Sequence, residues 1–197
     1  MDTSTALARI SGPGFIAALD QGGGSSPKAL AAYGLDESAW GDDVEKMFGL
    51  IHDMRTRIMV DQKFDERVSG AILFERTMNS EVDGMPTAQY LSEKKNIVPF
   101  LKVDEGLQDE VNGVQLMKPL SGLTERLASA NTHGIFGTKM RSVIQSANAG
   151  GVAEIVTQQF QVGNIIIDAG LMPILEPEVN IKSTDKAECA ELLLAEL

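Results

Sequence analysis

A single cysteine, Cys189, stands in a chain of 197 residues, so no internal disulfide can staple the fold and the chain reads as the product of a reducing, cytoplasmic compartment. Its two histidines, His52 and His133, lie far apart. They offer neither zinc-ligand spacing nor a credible Ser/His/Asp arrangement. No apolar run approaches the length of about 18 residues that a membrane span requires. Residues 1–5 lack the basic and apolar regions of a signal peptide. Basic residues are the minority, 17 Lys and Arg against 28 Asp and Glu. The resulting net charge of −11 disfavours nucleic acid and membrane as partners, which reward basic surfaces. A small anionic substrate stays compatible, because a few lysines in a cleft reverse the local field.

What is present is an alternation of short apolar runs and amphipathic stretches. The runs are Phe15–Leu19, Gly70–Phe74, Ile97–Leu101, Gly134–Gly137 and Leu171–Leu175. Fully apolar runs of this length fit strands covered on both faces. Helical spacing predicts helices over residues 27–33, 42–63, 87–94, 124–131, 151–166 and 185–197, the last opened by Asp185 as N-cap with Glu188 three residues on. Residues 1–12 read as a loose arm. Five consecutive βα units imply a parallel sheet, and polar residues close every apolar run: Asp20, Glu75, Lys102, then Lys139 with Arg141, then Glu176. Polar groups at the C-terminal ends of many strands favour a (β/α) barrel over an open sheet, which concentrates its site at one switch point.

Three features carry chemistry. The loop Asp20–Lys28, rich in glycine and serine, leaves a strand and opens a helix. It reads either as a phosphate cradle or as a flexible turn capped by Ser25 or Ser26, and it is neither a Walker loop nor GxGxxG. Lys102 and Lys139 close apolar runs, where partial burial lowers an amine's pKa and suits it to phosphate binding, proton transfer or imine formation. Glu176 and Glu178, held apart by Pro177, follow the fifth run. Mixed acids and bases in one cleft push each other's pKa values apart, as proton-transfer chemistry needs. The nine methionines read as core filler.

These residues also carry a resemblance. Ala17–Asp20 with its loop, Phe100–Asp104, Gly113–Leu120, Gly137–Arg141 and Pro173–Val179 resemble, in order, class I fructose-bisphosphate aldolase of the shorter bacterial type, from about Pro13 onward. The resemblance implies an α/β fold of the TIM (β/α)8 barrel family, present as an incomplete barrel of about five βα units in a single domain over residues 1–197. It implies reversible retro-aldol cleavage of fructose 1,6-bisphosphate to dihydroxyacetone phosphate and glyceraldehyde 3-phosphate in glycolysis and gluconeogenesis. The mechanism is a lysine Schiff base, metal-independent and without cofactor. By motif, Asp20 handles the C4-hydroxyl proton and assists the imine lysine. Ser25 and Lys102 belong to the C6-phosphate site. Lys139 meets the C4 hydroxyl, and Arg141 beside it binds substrate. Glu176 is the main acid/base, and Glu178 is the carboxylate that pairs with Lys139.

The departures are specific. In the family the imine lysine lies on the sixth strand, and no residue of this chain matches it. Lys182 and Lys186 follow the fifth strand too soon, and the strands supplying most of the C1-phosphate site have no counterpart. A complete barrel takes about 250 residues, so the chain is expected to be truncated and to show little activity alone. Gln21 and Gly22 replace an acid and a serine of the common animal loop. Open strand edges imply aggregation or pairing with another copy. Alternative readings are a non-catalytic half-barrel that retains phosphate-binding groups, and a Schiff-base aldolase of different sugar-phosphate preference.

Overall fold

Mostly apolar residues make up the first long strands: Phe15–Leu19 ends just before Asp20, Val68–Leu73 ends two residues before Glu75, and Val98–Lys102 ends on its one charged residue. The computed structural model describes residues 1–197, apart from the surroundings of Gly23. In chain order it contains α1 (Thr3–Ser11), β1 (Phe15–Leu19), α2 (Ser26–Ala32), α3 (Val44–Val60), β2 (Val68–Leu73), α4 (Thr87–Lys94), β3 (Val98–Lys102), α5 (Leu123–Thr132), β4 (Gly137–Ile144), α6 (Ala149–Asp168), β5 (Met172–Val179) and α7 (Lys186–Glu196), besides shorter turns. Two compact units divide the chain: Met1–Lys102 with Ala130–Phe136, and Val103–Ser129 with Gly137–Leu197.

In the first unit β1, β2 and β3 are parallel neighbours. Leu19, Leu73 and Leu101 share one level of the ladder, with Asp20 and Lys102 one step beyond it. All six residues of β2 are buried, as a strand flanked by neighbours and covered on both faces requires. Helices α2 and α3 close around Leu30, Trp40, Met47, Ile51 and Met54. Residues 1–12 are not the loose arm expected from sequence. Asp2 caps α1 by accepting from Thr5 N–H, Ala6 is buried, and Arg9 donates to the carbonyls of Glu66, Val68 and Asn96. Three backbone acceptors far away in sequence give this polar segment its place.

The second unit pairs β4 and β5 in parallel over eight residues, Gly137–Ile144 against Met172–Val179. Both strands begin and end later than the apolar runs suggested. Gly134 and Gly170 adopt positive φ, and the N–H groups of Gly134 and Ile135, and of Gly170 and Leu171, close back onto the preceding helices. These glycine caps use up the first residues of each run. The strands then continue through Lys139 and Arg141, and through Glu176 and Glu178. Thr138, Met140, Ser142 and Ile144 are buried on the alternate face, so the charged positions fall on the other one. Asn180 N–H donates to Ile144 O, which fixes the even-numbered residues of β5 as the ones bonded to β4. Pro173 and Pro177, which have no N–H, therefore turn their nitrogens away from β4.

A two-residue turn, Asn112–Gly113, both at positive φ, joins Val111 and Val114, and Val114–Gln115 pairs antiparallel with the end of β4. Val114, Ile144, Val152, Ile155 and Cys189 form the core there. Asp185 stands at the N-cap position of α7 but makes no capping bond. Its φ of −116° and ψ of 27° turn the carboxylate away, onto Ala147 N–H and the Ser183 hydroxyl. Among the described residues no helix is long and apolar enough to cross a membrane.

Candidate functional site

In the first unit, Asp20 follows β1 directly and is 8% exposed. Lys102, half-buried, ends β3. The loop between Asp20 and α2 is held from several directions. Gln21 folds its side chain back onto Ala18 O at 3.0 Å, and its carbonyl accepts from Arg55. A Cβ at Gly22 would lie 2.6 Å from the Phe74 ring, so only glycine lets that ring close over the loop. Ser25 is not a side-chain cap. It lies in a 3-10 turn, Gly23–Ser25, and its hydroxyl donates to Gly22 O at 2.9 Å. The Ser26 hydroxyl is buried. Gly23, part of the loop expected to cradle phosphate, has surroundings outside the described residues.

Arg55 was not among the residues singled out from sequence. It sits on α3 with Met47, Ile51, Met54 and Met59, all buried, and is itself 1% exposed. One Nη donates to Thr77 Oγ1 at 2.6 Å and the other to Gln21 O. Burial draws its pKa down to about 10, against the opposing pull of the Asp20 charge. The signal that could have found it is a charge on the apolar face of a periodic helix.

In the second unit the register places Arg141 opposite Glu176 and Lys139 opposite Ile174. Each base reaches two residues further along β5. Lys139 Nζ meets Glu176 Oε2 at 2.8 Å, and Arg141 Nη1 meets Glu178 Oε2 at 3.0 Å. Glu176 thus meets Lys139, the lysine with which the resemblance pairs Glu178. Residues two apart on a strand share a face, so the four charged groups form two parallel ion pairs. The Lys139 side chain is 12% exposed and that of Arg141 42%, which makes the first pair the less screened. From behind, Gln159 on α6 donates to Ser142 Oγ at 2.9 Å. This buried amide within the apolar stripe of α6 was also missed.

His52, on α3, bonds Glu81 O at 2.8 Å. No three His, Cys, Asp or Glu side chains converge as metal ligands among the described residues. An apolar hollow lined by Val179, Ile181, Lys186, Ala187 and Ala190 holds none of the singled-out acids or lysines of β3 and β4.

Comparison with known proteins fits this arrangement. A fructose-bisphosphate aldolase from Plasmodium falciparum, solved in complex with TRAP and a small-molecule inhibitor, superposes with a TM-score of 0.73 at 24% identity, covering 90% of this chain and 51% of its own. The fold is therefore that of the (β/α)8 barrel family, represented here by five βα units. A "Fructose-bisphosphate aldolase class 1" from Porphyromonas gingivalis is 56% identical over 186 residues, 94% of this chain but 63% of the relative. The chain thus spans just under two thirds of that relative's length. The model of the family described as "Fructose-bisphosphate aldolase class-I" matches residues 16–195, and with that match over most of its length the chain belongs to the class-I fructose-bisphosphate aldolase family.

Proposed function

We propose that the protein is a cytoplasmic aldolase that cleaves fructose 1,6-bisphosphate to dihydroxyacetone phosphate and glyceraldehyde 3-phosphate through a lysine imine, and that this chain supplies its acid/base and C6-phosphate groups as part of one barrel domain. The observation that carries the reading is the Lys139–Glu176 contact at 2.8 Å. Forming an imine needs a group that first gives a proton to the departing hydroxyl of the carbinolamine and later takes one back. Glu176, held by a half-buried ammonium yet a third exposed, suits both duties. C3–C4 cleavage then needs a base for the C4-hydroxyl proton while the bond's electrons flow into the protonated imine. Asp20 is assigned that base, and Lys139 the charge that steadies the developing oxyanion. Lys102 and Ser25 are assigned the C6 phosphate, and Arg141, carrying Glu178, a substrate contact. The imine nucleophile is assigned to no residue of 1–197.

The test is borohydride trapping. The full-length protein is incubated with dihydroxyacetone phosphate, reduced, and weighed intact. One adduct per chain is expected, together with cleavage of fructose 1,6-bisphosphate that survives EDTA. No adduct, or activity lost to EDTA, refutes the proposal. A higher rate on fructose 1-phosphate would move it to a different sugar-phosphate preference.

A further inference from the structure

We infer that Arg55 is a positioning residue for the Asp20 end of the site, its guanidinium gripping from behind the turns that leave β1 and β2; the inference rests on the aldolase reading above. Two observations carry it. Arg55 occupies a helix face otherwise filled by Met47, Ile51, Met54 and Met59, where an apolar side chain of similar volume would stabilise the fold at least as well without a buried charge. Its donations go to the C-terminal side of the strands, one to Gln21 O, the residue after Asp20, and one to Thr77 Oγ1 in the turn after β2. Gln21 is held a second time through its side chain on Ala18 O, and Gly22 lies under Phe74. The backbone leaving Asp20 is therefore fixed at successive residues. The Arg55 guanidinium and the Asp20 carboxylate also attract each other electrostatically. A planar fork holds two acceptors at once, whereas a lysine holds them as a point charge and cannot bridge both.

The experiment uses the full-length protein carrying Arg55→Lys or Arg55→Met. Amide hydrogen exchange, thermal melting, steady-state cleavage of fructose 1,6-bisphosphate and borohydride trapping are measured on each. In both variants the peptide covering Gln21–Ser25 is expected to exchange about tenfold faster, with α3 unchanged. kcat is expected to fall about 10- to 100-fold with KM held within about threefold. Trapped imine stays stoichiometric, because its lysine lies elsewhere. Unchanged exchange at Gln21–Ser25 overturns the inference whether or not the protein is an aldolase, and wild-type kcat in a folded variant overturns it too. A kcat loss matched by loss of folded protein also overturns it, as does failure of both variants to fold, since Arg55 would then serve the fold alone. Absence of imine in the wild type instead refutes the aldolase reading, and the exchange data still judge the grip on the turn.

Discussion

Gly150 and Gly151 are neighbours in the first turn of α6, and alanine should have opposite effects at the two positions. A Cβ at Gly150 would meet only Asn148 Oδ1, at 3.5 Å, an ordinary contact. Replacing a helical glycine gains up to about 1 kcal/mol, and less in a first turn, so Gly150→Ala should stabilise by about 0.5 kcal/mol. A Cβ at Gly151 would overlap Asn112 O and lie 2.9 Å from Val114 Cγ1. Asn112 cannot retreat easily. Val111 and Val114 exchange two backbone hydrogen bonds of 3.0 Å, and Gly113 O accepts from Gln145 and Ser146 N–H. Forcing a methyl against such a turn costs about 1–3 kcal/mol, which outweighs the helix gain and leaves Gly151→Ala destabilised by about 1–2 kcal/mol. For a chain of this size that separates the variants, Gly150→Ala melting about 1–2 °C above wild type and Gly151→Ala about 2–8 °C below. Thermal melts followed by circular dichroism, with urea titrations to check that m is unchanged, decide the matter. A Gly151→Ala variant as stable as wild type would refute the reasoning that the Asn112–Gly113 turn is rigid.

Three further outcomes are expected. In the full-length protein Glu176→Gln should lower kcat about 100-fold or more and Glu178→Gln less than about tenfold, because Arg141 and the Lys139–Glu176 pair remain; steady-state rates in the reverse order would refute the assignment. The Ser183 hydroxyl, and then Ala147 N–H, hold the Asp185 carboxyl below the usual carboxylate range. Its contribution is therefore present above the unfolded pKa of about 4 and lost as pH falls through the lower folded value. Asp185→Ala should melt below wild type at pH 7, the gap closing as pH drops below that range; a gap independent of pH would contradict this. Burial pushes the Cys189 thiol up, so Ellman's reagent should react at least about tenfold more slowly with the native chain than in urea; equal rates would place the thiol at the surface.

Sequence located the strands by their apolar runs, which β2 and β3 bury almost completely, and β1 and α4 lie where they were expected, although β1 is exposed over most of its length rather than covered on both faces. It misplaced the starts and ends of β4 and β5. Gly134 and Gly170 look like strand residues until their positive φ shows them closing the preceding helices. Charged residues such as Lys139 and Glu176 read as strand terminators, although one face of a strand carries charge without ending it. Asn112–Gly113 between two valines is a hairpin signal that went unread, and α1 stayed hidden because its anchor, Arg9, finds partners about sixty to ninety residues away. The four charged site residues of the second unit were legible as types in a pattern, but their pairing depended on register, which no spacing within one strand specifies. Arg55 and Gln159 were illegible for a related reason: a polar residue on an apolar stripe announces a buried partner without saying which.

The two prolines of β5 affect more than its pairing with β4. Pro173, Leu175, Pro177 and Val179 face outward along this strand, offering a carbonyl at every one of the four positions but an N–H only at the leucine and the valine. Any strand that pairs on that side meets four acceptors but only two donors, so wherever its own carbonyls fall opposite a proline they need a partner other than the β5 backbone.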